Sequence, residues 1–114
     1  MIETLNAFCH LAFLMAAGHA LADRPLQEGA IRAEKYAPRG EGNPRWVYGI
    51  ACHGLIHGGM VALITGHWWL GALETIAHAA IDETKCRGRI GLVVDQLLHF
   101  ACKAVWAGIA VALA

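Results

Sequence analysis

Residues 74–103 read ETIAHAAIDETKCRGRIGLVVDQLLHFACK, two apolar stretches carrying ionisable groups at helical spacing and joined by a basic turn. His78 and Asp82 stand four residues apart, as do Asp95 and His99, and on an α-helix such pairs project from one face about one turn apart. Folded as an antiparallel helical hairpin, the segment sets Asp82 level with Asp95, His78 with His99 and Glu74 with Lys103, in three successive layers. The spacing therefore predicts an aspartate layer, a histidine layer and, deeper, an ion pair between Glu74 and Lys103.

The same spacing recurs upstream. His19 precedes Asp23 by four residues and His53 precedes His57 by four, so all three aspartates of the chain belong to such a pair. Antiparallel packing of the first two helices aligns His19 with His57 and Asp23 with His53. Ionisable groups inside apolar segments are expensive and mark functional sites. Imidazole and carboxylate are ligands of first-row metals, and helical bundles assemble such sites from facing helices. His19, Asp23, His53, His57, His78, Asp82, Asp95 and His99 are thus the expected metal ligands. A hydrogen-bond or charge-relay network is the alternative use of the same groups.

At 114 residues the chain is read as one integral membrane domain. Its 57% hydrophobic content exceeds the roughly 45 to 50% of soluble domains, and its mean hydropathy is +0.45. Nine basic and nine acidic residues balance, and no basic patch points to nucleic acid. Cys9, Cys52, Cys86 and Cys102 lack any C-x-x-C spacing and read as small buried hydrophobes rather than disulfides. No serine is present, which excludes a serine nucleophile, and no phosphate-binding glycine loop is found.

The fold expected is an all-α, four-helix transmembrane bundle with helices over about 5–22, 46–64, 68–82 and 90–114. The first, second and fourth approach or exceed the roughly 20 residues that cross a hydrocarbon core. The third is shorter. Residues 23–45 form a polar loop with Pro25, Pro38 and Pro44 and one short helix over Leu26 to Lys35. Leu5 to Ala22 ends in Ala20-Leu21-Ala22, a pattern like a signal-peptidase site. Its start carries Glu3 without a basic residue, and His10 and His19 interrupt it, so a retained helix is expected. Gly54, Gly58 and Gly59 are expected to let the second helix pack closely.

Arg24, Arg32, Lys35, Arg39 and Arg45 lie in the first connection and Lys85, Arg87 and Arg89 in the third. By the positive-inside rule both loops face the cytoplasm of a bacterial inner membrane and both termini face outward. Trp46 and Tyr48 at one interface, and Trp68 and Trp69 at the other, suit aromatic belts. His10 and His67 fall outside the pairs and read as packing or hydrogen-bonding side chains. The basic loops read as topology determinants with some attraction to anionic lipid.

Three strings, His19-x3-Asp23-x3-Gln27, His78-x2-Ile81-Asp82-x2-Lys85 and Asp95-Gln96-x2-His99, resemble the motifs of an uncharacterised family of small bacterial and phage integral membrane proteins. That family is a domain of unknown function similar to proteins described as membrane-bound metal-dependent hydrolases. The resemblance spans nearly the whole chain. It implies an inner-membrane helical bundle with these residues as signature positions and His57 or His53 as the histidine of the second helix. It carries no substrate.

Five histidines and three aspartates exceed the needs of one tetrahedral ion, so one or two ions of zinc, manganese or iron are compatible with the set. Gln27, Gln96, Glu74, Lys103 and Lys85 are the groups expected to support the ligands. A bound ion makes water nucleophilic near neutral pH, with Asp23, Asp95 or His57 as candidate catalytic groups, so the expected activity is metal-dependent hydrolysis of a phosphoester or amide in a membrane lipid. The alternatives are an ion or proton transporter built on the same cluster and a non-catalytic, phage or bacterial membrane adaptor. Haem ligation suits three nearby carboxylates poorly. A homodimer is expected to cover polar faces that a small bundle leaves open.

Overall fold

The computed structural model describes residues 1–40 and 42–114; Glu41, within the polar loop expected over 23–45, lies outside the described residues. Among those residues every regular element is helical: α1 (Ile2–Asp23), α2 (Ala30–Lys35), α3 (Arg45–Thr65), α4 (Trp68–Cys86) and α5 (Leu92–Leu113). The four long helices alternate in direction and pack in the cyclic order α1, α3, α4, α5, while α2 lies against α3.

Three helices, α1, α3 and α5, are long and apolar enough to cross a membrane, not the four expected. α4 falls short because Glu74, His78 and Asp82 make a buried stripe along it, and Glu83 and Lys85 follow at its end. Its outer face is nonetheless apolar, with Leu73 43% and Ile76 69% exposed. Hydropathy averages a helix over both faces and cannot separate an inward polar stripe from an outward apolar one.

The distribution of side chains is inverted relative to a water-soluble protein. Phe13, Leu63 and Trp68 stand out from the surface, whereas His53, His57 and Glu74 are wholly enclosed. A small apolar core does exist: Met15, Val61, Leu70, Ala107 and Ala110 pack together with Phe8, Leu11, Trp69 and Trp106 around them. In each long helix these residues lie on the side of the histidines away from the charged connections, so they close that end of the bundle.

Helix ends differ from expectation where polarity was read as a break. α4 continues through Glu83, Thr84 and Lys85 to Cys86, because polar residues do not stop a helix; the stop falls at Gly88, which has φ 72°. α2 begins at Ala30 rather than Leu26, and α5 at Leu92 rather than Ile90. The α3–α4 turn uses Gly66 at φ 74°, with its N–H donated to the Ala62 carbonyl, a left-handed helix end that favours glycine.

This turn brings α3 and α4 into very close contact. A Cβ on Gly58 would collide with Thr75 Oγ1 and the Gly71 carbonyl, and one on Gly71 with the Gly58 carbonyl. Gly54 also sits close, with Thr75 O 3.0 Å from the position of its absent Cβ, but Gly59 faces open space and takes no part in the packing expected of it. The glycine contact is what allows side chains on these two helices to stack.

Candidate metal centre

Each long helix contributes one histidine to a closed ring. Centroid separations are 4.9 Å for His19–His57, 3.6 Å for His57–His78, 4.0 Å for His78–His99 and 5.2 Å for His19–His99. His19 is the fourth residue before the end of α1 and His99 the seventh after the start of α5, roughly 6 and 10 Å along the axis at 1.5 Å per residue. His53, one turn from His57, packs edge-on to it and to His78.

The Nε2 atoms of all five histidines face the three aspartates. Asp23 lies 3.0 Å from His57, 3.2 Å from His53 and 3.3 Å from His19. Asp82 lies 3.3 Å from His99, 3.6 Å from His53 and 3.7 Å from His78. Asp95 lies 3.4 Å from His99. Within this cluster two groups have donor atoms all within 4.8 Å of one another: Asp23, His53, His57 and His78, and His78, Asp82 and His99. All eight expected residues are therefore together, but His19 and Asp95 flank these groups rather than join them.

The flanking residues are held by amide and ammonium groups. Gln96 donates from Nε2 to Asp23 Oδ2 at 3.1 Å and Asp95 Oδ2 at 3.0 Å, and its Oε1 lies 3.1 Å from His19 Nε2. Lys85 donates to Asp95 Oδ2 at 3.0 Å. Gln27, expected to support the ligands, reaches them indirectly: its Nε2 donates to the Asp23 backbone carbonyl at 2.7 Å and its Oε1 accepts from Lys35. Deeper, Lys103 pairs with Glu74 Oε1, and Trp106 Nε1 donates to Glu74 Oε2 at 2.7 Å.

Lys35 is the residue the sequence did not mark. It belongs to the polar connection, yet it is 2% exposed and its Nζ lies 2.5 Å from Asp82 Oδ2. α2 tucks it under the bundle, and Arg39 fastens the connection: its guanidinium meets Glu83 at 2.7 Å, stacks over Trp46 and donates to the Ala37 carbonyl. The hydrogen bond to Glu83 holds the Arg39 guanidinium above its ordinary pKa. The loop thus supplies charge compensation to the site.

Other expectations are corrected. His10 is exposed on the outer face of α1 and serves no packing role inside the bundle. His67 does pack as expected: in the α3–α4 turn its ring lies 5.9 Å from that of Trp69, and its backbone N–H donates to Thr65 Oγ1 at 3.2 Å. All four cysteines are free; Cys52, Cys86 and Cys102 are half-buried, but Cys9 is exposed rather than buried.

The donor set fits a first-row ion. Metal–ligand bonds of about 2.0 to 2.2 Å place two ligands of one ion about 2.9 to 3.5 Å apart, which is close to the separations found among these nitrogens and oxygens. His78 gives the sharper indication. Its Nδ1 donates to Glu74 Oε1 at 3.2 Å, which leaves Nε2 as the lone-pair nitrogen. That Nε2 is buried and has no hydrogen-bond partner among the described residues, and His78 belongs to both donor groups. A carboxylate fixing the far nitrogen of a ligand imidazole is the usual support of a metal-binding histidine.

Comparisons with family models, with curated proteins and with solved structures each give no match to this chain.

Proposed function

We propose that this chain is a membrane-embedded, divalent-metal-dependent hydrolase acting on a phosphoester or amide bond at the level of the lipid headgroups. The observation that carries the reading is His78, whose orientation by Glu74 and unpartnered buried Nε2 prepare it as a ligand amid four further imidazoles and three carboxylates. His53, His57, His78 and Asp23 would hold an ion, and His78, Asp82 and His99 form an alternative position, since the one lone pair at His78 Nε2 serves one ion at a time. An ion so held supplies Lewis acidity and a water nucleophilic near neutral pH, with zinc, manganese or iron suited to the donors.

The chain's own groups divide the remaining work. Asp23 has 19% side-chain exposure against 4% for Asp82 and 1% for Asp95, and it lines the cavity at the charged end. It is therefore the carboxylate placed to pass a proton between the cluster and the outside. Asp95, locked by Lys85 and Gln96, fixes His99. In this reading α4 lies in the membrane with α1, α3 and α5, its charges turned inward, and the basic connections face the cytoplasm of a bacterial inner membrane with both termini outside.

A transmembrane ion path is the second reading, favoured by the polar column that continues from His78 through Glu74 to Lys103. The column ends at Trp106, and beyond it Met15, Val61, Leu70, Ala107 and Ala110 close the bundle, so a pocket open on one side is the better account. Elemental analysis of protein purified in mild detergent tests the proposal. One or two equivalents of a transition metal, lost in His78→Ala, support it; protein that contains none and takes up none on titration would falsify it.

A further inference from the structure

A cavity of about 570 Å³ opens beside the cluster, between α1, α2, α5 and the end of α4. Its inner wall is His19, Asp23 and Gln96, the near edge of the site. The rest of its lining is divided. Arg24, Arg32, Tyr36 and Glu28 come from the polar connection, whereas Leu92 and Phe100, both well exposed, come from the helix that faces lipid.

The charges of this wall are unequally engaged. Among the described residues the ion pairs between basic side chains and carboxylates at this end are Lys35–Asp82, Arg39–Glu83, Lys85–Asp95 and Arg87–Glu83, and Arg24 and Arg32 belong to none of them. Asp23 is turned toward its histidines and Gln96. Besides Lys85, paired with Asp95, and Asp23, the charged groups of the lining are the guanidiniums of Arg24 and Arg32, unpaired among the described residues, and the carboxylate of Glu28. Guanidinium groups bind phosphate through paired charge-assisted hydrogen bonds.

We propose that this cavity binds the phosphate of an anionic phospholipid, with Arg24 and Arg32 holding the phosphate at the interface and Leu92 and Phe100 lying along the first part of an acyl chain. The division of the wall into a cationic rim and an apolar, lipid-facing side selects an amphiphile over a soluble anion. This assignment rests on the proposed hydrolase and narrows its substrate class, but binding at the rim needs no metal.

The test is binding of a fluorescent phosphatidylglycerol to the full-length protein in neutral detergent, with metal content measured on the same samples. Arg24→Gln/Arg32→Gln should weaken binding about tenfold or more, while Arg45→Gln/Arg89→Gln, the same charge change outside the cavity, and His78→Ala should each stay within about twofold. Equal loss in both arginine pairs would mean general attraction to anionic lipid and overturns the proposal. Inorganic phosphate displacing the lipid at equal concentration overturns the lipid assignment, and a phosphatidylcholine analogue binding as tightly overturns recognition of net negative charge. Lipid binding by protein that takes up no metal sustains this inference while removing the hydrolase; metal uptake without lipid binding does the reverse.

Discussion

The imidazole rings of His57 on α3 and His78 on α4 stack face to face, 3.6 Å between centroids and 20° from parallel. Protonated rings would repel at that separation, so the stack suits neutral imidazole, the form that ligates metal. Gly58 and Gly71 make it possible by letting the two backbones touch. His57→Ala and His78→Ala should therefore each lose at least one metal equivalent while remaining helical. His10→Ala, altered on the outer face, should keep the full complement. Metal content measured after size-exclusion chromatography checks this, and equal retention by all three variants would remove the cluster as the binding site.

Glu74 serves three partners, orienting His78, compensating Lys103 and accepting from Trp106 Nε1. Stranding a buried charge costs about 3 to 5 kcal/mol, so Lys103→Met should lower stability strongly, and Glu74→Gln/Lys103→Met should recover much of it. Loss of an orienting carboxylate typically costs 10- to 100-fold in metal affinity. Glu74→Leu/Lys103→Met should then be stable yet bind metal about that much more weakly. Thermal unfolding in detergent and metal titration of the same proteins separate the two roles.

The three layers of the α4–α5 hairpin were legible in the sequence because a short connection leaves the register little freedom: Lys103 meets Glu74 and His99 lies over His78 as the equal spacing requires. The looser pairing of α1 with α3 also held, with His53 and His57 meeting Asp23. Lys35 was not legible. Nothing local distinguishes it from Arg32 three residues earlier, and its burial depends on how a long connection folds back against α3. α4, expected as a fourth span, does not qualify as one, since its charged inner stripe offsets its apolar outer face in any average along the helix. His10, nine residues before His19 and so about half a turn out of phase with it, lies on the exposed face as that offset requires.

Close packing of α3 on α4 predicts an asymmetry between adjacent glycines. Gly58→Ala drives a methyl group into Thr75 and the Gly71 carbonyl, backbone on one side, and overpacking of this kind costs about 1 to 3 kcal/mol. Gly59→Ala enters open space and, by removing a flexible residue from a helix, should be neutral or slightly stabilising. The expected order of melting temperatures is Gly59→Ala at or above the parent and Gly58→Ala below both, with metal binding weakened only in Gly58→Ala. Equal melting temperatures would mean that the two helices do not approach as closely as described.

The ammonium of Lys35 and a divalent ion would share Asp82. With Nζ 2.5 Å from Asp82 Oδ2, the lysine supplies positive charge to a carboxylate that also belongs to the His78, Asp82 and His99 group. Lys35→Met removes that competing charge and leaves Asp82 to the histidines. The variant should be less stable than the parent in chelator, because a buried carboxylate has lost its counterion. It should also bind divalent metal about tenfold more tightly, a gain of about 1.4 kcal/mol, so that saturating metal restores its stability. Lys35→Arg keeps the charge and should behave like the parent. Isothermal titration and thermal unfolding with and without metal check both halves. If Lys35→Met melts like the parent in chelator and binds metal no better, then α2 does not compensate the site and Lys35 is only part of the loop's packing.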